Sequence, residues 1–239
     1  MSDVNVNHPP PHISNRILRE LPPEEYERLS PHLEFVTLAL GDVLYYPQEP
    51  VTHVYFPNCG SISVISTFAD GGGVEVGVVG NEGVFGVNVV LGSVSVPLEA
   101  IVQVPGDGLR IPADVLKKEF KTNGLLHDLL LRYTQAFIIQ IAQTAACNRS
   151  HPIGGRLARW LLMSHDRAMS DELHLTQEFI SLMLGTRRAG ITEAAGKLQN
   201  EGMIKYNRGH ITILDREKLE AASCECYDMV KNEFDRLLG

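Results

Sequence analysis

The chain has no run of roughly 18 apolar residues, the length a membrane-spanning helix requires. Its most apolar stretch, residues 84–98, is broken by Asn88, Pro97 and several Gly and Ser positions. No basic cluster followed by an apolar core opens the chain, so residues 1–14, with three Pro and two His, read as a floppy leader and not as a secretory signal. Cysteine is scarce. Cys59, Cys147, Cys224 and Cys226 are scattered, lack the usual spacing of a metal or cluster site, and are expected to be reduced thiols in a cytoplasmic protein. No Gly-Lys-Ser/Thr and no Gly-x-Ser-x-Gly occurs, which removes the phosphate-loop and nucleophile-elbow enzymes. A metal-dependent β-barrel enzyme is the main rival from another class. It lacks its His-x-His, because His32, His53, His127 and His151 stand alone. Gly77, Gly80, Gly83 and Gly86 recur every three residues after a β run without opening a helix, and they read as turns.

What remains is ordinary globular composition, 44% hydrophobic and 21% charged over 239 residues, enough for one large domain or two modest ones. The net charge of −8 is unevenly placed. Residues 1–146 hold 8 Lys and Arg against 16 Asp and Glu, residues 147–239 hold 13 against 13, and residues 147–214 hold 9 against 6. A DNA-facing surface therefore fits in the second part despite the overall acidity.

After a short helical opening over residues 16–30, β-rich runs cover residues 35–40, 43–46, 54–56, 61–68, 74–79, 100–104 and 109–111. They are punctuated by Gly41-Asp42, Pro57-Asn58-Cys59-Gly60, Asp70-Gly71-Gly72-Gly73 and Pro105-Gly106-Asp107-Gly108. That rhythm predicts an antiparallel sandwich or barrel, taken as a jelly-roll-like β-roll. From Ala113 the period changes. Leu126, Leu130, Tyr133, Phe137, Gln140, Thr144 and Cys147 are spaced 4, 3, 4, 3, 4, 3, the seam of a long helix able to pair with a copy of itself, with Gln140 and Thr144 setting register. The alternative is a stripe that packs on the β-roll. His151-Pro152-Ile153-Gly154-Gly155 then reads as a hinge, followed by an amphipathic helix over 156–167 and a terminal helix over about 217–238. The expected fold class is α+β: a β-roll (residues 15–112), a long dimerisation helix (113–148) and a C-terminal winged helix-turn-helix (149–239).

The last of these rests on residues 175–200. Thr176 is placed to N-cap one helix, Gly185 to supply the positive φ of a tight turn, and Thr186 to N-cap a second helix, while Ile180, Leu184, Ile191, Ala194 and Leu198 would face a core. The outward face of the second helix would show Arg187, Arg188, Thr192 and Glu193. Arg188 is the candidate base reader, because a guanidinium can grip guanine O6 and N7 together; Arg187 and the Thr186 hydroxyl are candidates for phosphate, and Glu193 for a cytosine amino group. Two short β runs around Asn207-Arg208-Gly209 make a wing whose Lys205, Arg208 and His210 would touch the backbone. Solvated arginines and lysines are the plain alternative for each residue taken singly, and an interaction module without DNA binding is the alternative for the whole.

The order of β-roll, dimer helix, hinge and winged helix-turn-helix resembles the Crp/Fnr family of bacterial transcription regulators, from about Asn15 onward. The match is strongest over residues 175–213 and is supported by Arg156-Leu157-Ala158-Arg159-Trp160-Leu161-Leu162, Val54-Tyr55-Phe56-Pro57-Asn58-Cys59-Gly60 and Val79-Gly80-Asn81-Glu82-Gly83-Val84-Phe85-Gly86. The resemblance implies a homodimer on a two-fold-symmetric operator in double-stranded DNA. Two departures stand out. The family's recognition helix commonly carries an Arg-Glu pair and a later Arg, where this chain has Arg188-Ala189 and Glu193, so a different operator is expected. Its cyclic-nucleotide binders carry a Gly-Glu and a Pro-Arg-Ala, where this chain has Gly86-Val87-Asn88 and Leu98-Glu99-Ala100, placing an acid where a phosphate would need a base. A signal other than cyclic AMP is therefore expected, with a cyclic-nucleotide, haem or redox signal as the alternative and His53, His127 or Cys59 as conceivable haem ligands. No cofactor is assigned. RNA polymerase and an unidentified effector complete the expected partners, and a membrane is not among them. Cys224-Glu225-Cys226 reads either as two small packing residues or as a redox pair of poor geometry.

Overall fold

The structure is a computed structural model that describes residues 13–69 and 71–239. Apart from Ile13 and Ser14, the leader read over residues 1–14 lies outside the described residues, as does Asp70 of the glycine-rich turn. Two short helices come first, α1 (Arg16–Arg19) and α2 (Pro23–Leu29). Asn15 caps α1 by accepting from Leu18 N, and its amide donates to the carbonyls of Pro57 (3.0 Å) and Gly83 (2.8 Å), which ties the opening segment to the sheet.

The β-roll is a five-stranded antiparallel sheet of β1 (Glu34–Leu38), β2 (Val43–Tyr45), β3 (His53–Thr67), β4 (Gly73–Val79) and β5 (Glu99–Pro112), in the order β1-β5-β3-β4 with β2 also on β5. Two sets of turn residues do not turn. Pro57-Asn58-Cys59-Gly60 and Pro105-Gly106-Asp107-Gly108 lie inside β3 and β5, opposite one another, where the register slips repeatedly between Pro57 and Ile62. The glycines serve close approach there. A Cβ on Gly60 would sit 2.5 Å from the Val104 carbonyl, and one on Gly106 would sit 2.3 Å from that of Cys59. Nor is Gly77 a turn: it lies within β4, and a Cβ there would sit 2.9 Å from the ring of Phe137.

The helix expected from Ala113 is two helices, α3 (Ala113–Phe120) and α4 (Leu125–Ser150), parted at Asn123 with φ +56°. The carboxylate of Glu25 on α2 receives the backbone N–H groups of Leu125 (2.7 Å) and Leu126 (2.9 Å), so it caps α4 from 100 residues away. The proposed seam of α4 needs correction. Leu126, Leu130 and Tyr133 are buried in the roll's own core, and Phe137 packs against it. Gln140 accepts from Val78 N (2.7 Å), and Thr144 accepts from Arg159 Nη2 (3.1 Å). These six side chains face the rest of their own chain, because the sheet offers α4 an apolar face that its stripe satisfies first. The outward face of α4 carries Leu131, Gln135, Ile138, Ala142 and Ala145, all exposed.

Only His151 and Pro152 separate α4 from α5 (Ile153–His165), so Gly154 and Gly155 belong to the first turn of α5 and not to a hinge loop. Beyond α5 come β6 (Glu172–His174), α6 (Gln177–Met183), α7 (Arg188–Asn200), β7 (Ile204–Asn207) and β8 (His210–Ile213), with sheet order β6-β8-β7. The single terminal helix expected is α8 (Arg216–Ala222) followed by α9 (Cys226–Leu238). The break lets α9 fold back along α4, where Val230, Phe234 and Leu238 join the core of the roll. Trp160, Ile180, Ile191, Leu198 and Ile211 build the second core together with Ile65 and Val78 of the sheet, so the two halves share apolar contact. Among the described residues no helix is long and apolar enough to cross a membrane.

Candidate nucleic-acid interface

Thr176 accepts from Phe179 N (3.1 Å) and caps α6, and Gly185 makes the turn at φ +56°. Thr186 does not cap α7; the cap position is Arg187, which makes no side-chain cap hydrogen bond. Thr186 N instead donates to Ser181 O (3.0 Å), which closes the turn. Ile180, Leu184, Ile191, Ala194 and Leu198 are all buried, and the two helices cross on them. The first turn of α7 therefore points away from the core, with Arg187 and Arg188 exposed and without a carboxylate partner among the described residues.

The wing is held beside that turn. Leu175 N donates to Gly209 O (2.8 Å), Tyr206 Oη donates to Leu175 O (3.0 Å), and Arg208 and Gly209 both take positive φ at the tip. Burial pushes the Tyr206 phenol above its ordinary value, so it stays a donor. Arg188 and Arg208 consequently line one shallow concavity with Thr176, Gln177, Tyr206 and Gly209. The Thr192 hydroxyl is within 2.9 Å of Gln177 Oε1 and 3.1 Å of Arg188 O, so it fastens α7 to α6. Glu193 pairs with Lys197 at 3.0 Å, one turn on.

Lys205 and His210 lie on the other side of the wing, in a concavity that also includes Arg208 and Glu172. Glu172 comes from β6, the strand that pairs with β8 at Leu173↔Ile211. A three-residue strand between loops carries too little periodicity to be read in advance. The turn itself sits against the roll, since a Cβ on Gly185 would lie 3.0 Å from Val74 Cγ2.

In the β-roll, Tyr45, Tyr55 and Phe85 gather with ring centroids 5.8 to 6.4 Å apart. Glu99 opens β5 opposite Ile65. The conceivable haem ligands are separately engaged: His53 with Thr52 Oγ1 (3.1 Å), His127 with Asp128 (3.1 Å), and the Cys59 thiol with Asp107 Oδ2 (3.7 Å). Burial raises the Cys59 thiol above its usual range.

Residues 155–222 match the family described as the Crp-like helix-turn-helix domain, and residues 35–123 match the cyclic nucleotide-binding domain. Among solved structures, the chain is similar to a protein from Eubacterium rectale described as a transcriptional regulator of the Crp/Fnr family (20% identity, 86% of this chain and 96% of that one, TM-score 0.68). It is also similar to FixK2 from Bradyrhizobium japonicum (17% identity, 80% and 98%, TM-score 0.67). The c-di-GMP responsive global regulator CLP from Xanthomonas campestris is a third (18% identity, 80% and 98%, TM-score 0.61). A search of curated proteins found no match. At these identities the structures establish a shared fold, and the two domain matches add the family to it. A cyclic nucleotide-binding domain match followed by a Crp-like helix-turn-helix match makes this chain a member of the Crp/Fnr family of DNA-binding transcription regulators.

Proposed function

We propose that this regulator acts in the cytoplasm as a homodimer on a two-fold-symmetric operator, and that its signal is not cyclic AMP. The observation that carries the reading is the pair of exposed guanidiniums of Arg187 and Arg188, without a carboxylate partner among the described residues, at the open end of α7 beside Arg208 of the wing. Arg188 reads a base edge in the major groove, and Arg187, Thr186 and Arg208 hold phosphates. Thr192 positions α7, Glu193 takes a cytosine amino group when it leaves Lys197, and Lys205 and His210 add backbone contacts. The functional units are residues 15–112, 113–148 and 149–239, sensor, dimer helix and DNA-binding unit.

The two-fold axis runs along the outward face of α4. Leu131, Gln135, Ile138, Ala142 and Ala145 keep the 4, 3, 4, 3 spacing of a helix pair, and the side chains named from sequence for that role are used inside the protomer. The case against cyclic AMP rests on Glu99 where a base would be required and on the aromatic filling of the roll by Tyr45, Tyr55 and Phe85. An effector that acts must favour one arrangement of roll and DNA-binding unit over another. RNA polymerase is the partner such a regulator would meet at a promoter.

Selection of bound duplexes from a random pool, followed by gel shifts on the enriched site, tests this. Arg188→Ala should cost about 1–3 kcal/mol and relax preference at one base pair per half-site. Arg208→Ala should weaken all sequences alike and lower the salt slope by about 1. An enriched site without two-fold symmetry, or an unchanged base preference in Arg188→Ala, would overturn the assignment.

A further inference from the structure

Four side chains far apart in sequence meet where α4 ends. Cys147 is in the last turn of α4, His151 is its C-cap, Cys224 follows α8, and Cys226 opens α9. One sulfur or nitrogen of each lies within 4.8 Å of all the others, with Cys147 Sγ 3.5 Å from Cys224 Sγ and Cys226 Sγ 3.4 Å from His151 Nδ1. All three cysteines are buried and form a cluster separate from both main cores. A tetrahedral site with metal–sulfur bonds of about 2.3 Å sets its ligand atoms about 3.8 Å apart, so the group needs only small adjustments to enclose one ion.

The surroundings suit that ion as well. His151 presents Nδ1 to the cluster while its Nε2 lies 3.2 Å from Glu225 Oε1, the carboxylate-to-imidazole contact that orients a ligating histidine and raises its basicity. Gln143 Nε2 donates to Cys226 Sγ at 2.9 Å, as it would to a thiolate. Arg156 and Arg159 are near enough to interact electrostatically with Cys147, and the buried Nε of each has no hydrogen-bond partner among the described residues. A divalent ion with three thiolates and a neutral imidazole carries a net charge of −1, which those guanidiniums would balance.

We propose that Cys147, His151, Cys224 and Cys226 form a Cys3His site for one thiophilic divalent cation, Zn2+ by its chemistry, which pins the end of α4 to the start of α9. Binding forms one metal–nitrogen and three metal–sulfur bonds and releases three thiol protons to solvent, with no change of oxidation state. The ligand atoms enclose a volume for a single ion and not for a multi-iron cluster. Cys224-Glu225-Cys226 alone has poor spacing for a metal; the remaining ligands come from a helix end more than 70 residues earlier. Because α4 ends and the DNA-binding unit begins here, an ion would stiffen the joint between them.

The test uses the full chain, reduced, stripped with a chelator and desalted, then titrated with Zn2+ against a chromophoric competitor and with Co2+ as a spectroscopic probe. One equivalent per chain is expected, with the visible bands of tetrahedral cobalt and thiolate-to-metal charge transfer, and Zn2+ should raise the melting temperature. His151→Asn and Cys226→Ser should each weaken binding about 100-fold or more, Glu225→Gln about 10- to 100-fold, and Cys59→Ser not at all. His151 is partly exposed, so His151→Asn carries the test if a buried cysteine variant does not fold. The proposal is overturned by absence of stoichiometric binding while the thiols titrate as free. It is equally overturned by a Cys147–Cys224 disulfide persisting in the alkylated protein, or by binding that survives in His151→Asn and so resides elsewhere, for example at the adjacent rings of His174 and His210. None of these readouts requires DNA.

Discussion

Arg167 and Glu82 form a buried ion pair across the junction between the roll and the DNA-binding unit: Nε and Nη2 of Arg167 both reach Oε1 of Glu82, and the two side chains are only 8% and 10% exposed. Two desolvated charges of this kind are strongly coupled, since removing one strands the other in a medium of low polarity. Glu82→Met or Arg167→Met should therefore destabilise the chain by about 3–5 kcal/mol and lower its melting temperature by roughly 10 °C. The double variant Glu82→Met with Arg167→Met should recover much of that loss. Thermal unfolding followed by circular dichroism reads the cycle, and additive single effects would show that the pair is not coupled.

A second contact across the same junction is sensitive to pH. Trp160 Nε1 donates to Glu75 Oε1 (3.0 Å), Ser63 Oγ lies 2.5 Å from Glu75 Oε2 and against Gln103 Oε1, Gln103 Nε2 donates to Ser164 Oγ (2.8 Å), and Ser164 Oγ donates to Trp160 O (2.9 Å). With the Gln103 amide in this orientation, one Ser63 hydroxyl proton cannot serve both oxygens beside it, whereas a protonated Glu75 donates to Ser63 and completes the ring. Burial pushes the Glu75 carboxyl up to about 7, against the hydrogen bonds from Ser63 and Trp160 and the charges of Arg159 and Arg167. Below the unfolded value near 4.5 both states hold the proton; between there and about 7 only the folded state does. Stability should thus fall by about 3 kcal/mol as pH rises through that window. Glu75→Gln should lack this slope. Urea unfolding of both proteins from pH 4.5 to 8 checks the difference, and parallel profiles would refute it.

The contrast between what could and could not be read in advance follows the reach of the interactions. Thr176, Gly185 and the buried positions of α6 and α7 are legible because cap, turn and helix packing all lie within one short segment. The wing is legible for the same reason, with Arg208 and Gly209 at the tip of a local turn. Periodicity finds α4 but cannot say which of its two apolar faces meets the sheet, and the sheet takes Tyr133 and Phe137. Likewise, the capping of α4 by Glu25, the bulges at Gly60 and Gly106, and the meeting of Cys147 with Cys224 join residues at least 44 positions apart. Composition and spacing carry no record of such partners.

Gly83 shows how closely α4 lies on the roll. A Cβ there would fall 2.0 Å from Cε2 of Tyr133, a ring that is fully buried and has no room to retreat. Gly83→Ala should cost about 3 kcal/mol through forced repacking. Gly196, in the middle of α7 with open space around its Cα, gives the opposite sign: Gly196→Ala should stabilise the chain by about 0.5–1 kcal/mol. Midpoints of urea denaturation compare the two, and a tolerated Gly83→Ala would mean that α4 can move off the sheet.

Leu131 and Ile138 remain 42% and 54% exposed while the opposite side of α4 is buried, which gives the helix a second apolar line that none of the described residues covers. Pairing with a copy about a two-fold axis would place each of these side chains against its symmetry mate, so a single substitution acts twice in the dimer. Ile138→Glu would bury two like charges near the axis, whereas in the separate protomer the same side chain would be solvated. Its dimer dissociation constant should rise by at least about 100-fold with little change in protomer stability. Tyr133→Leu makes the complementary case: it would weaken the protomer's core and leave the outward line intact. Sedimentation equilibrium beside thermal unfolding separates the two effects, and an Ile138→Glu protein that stays dimeric would put the two-fold contact on another surface.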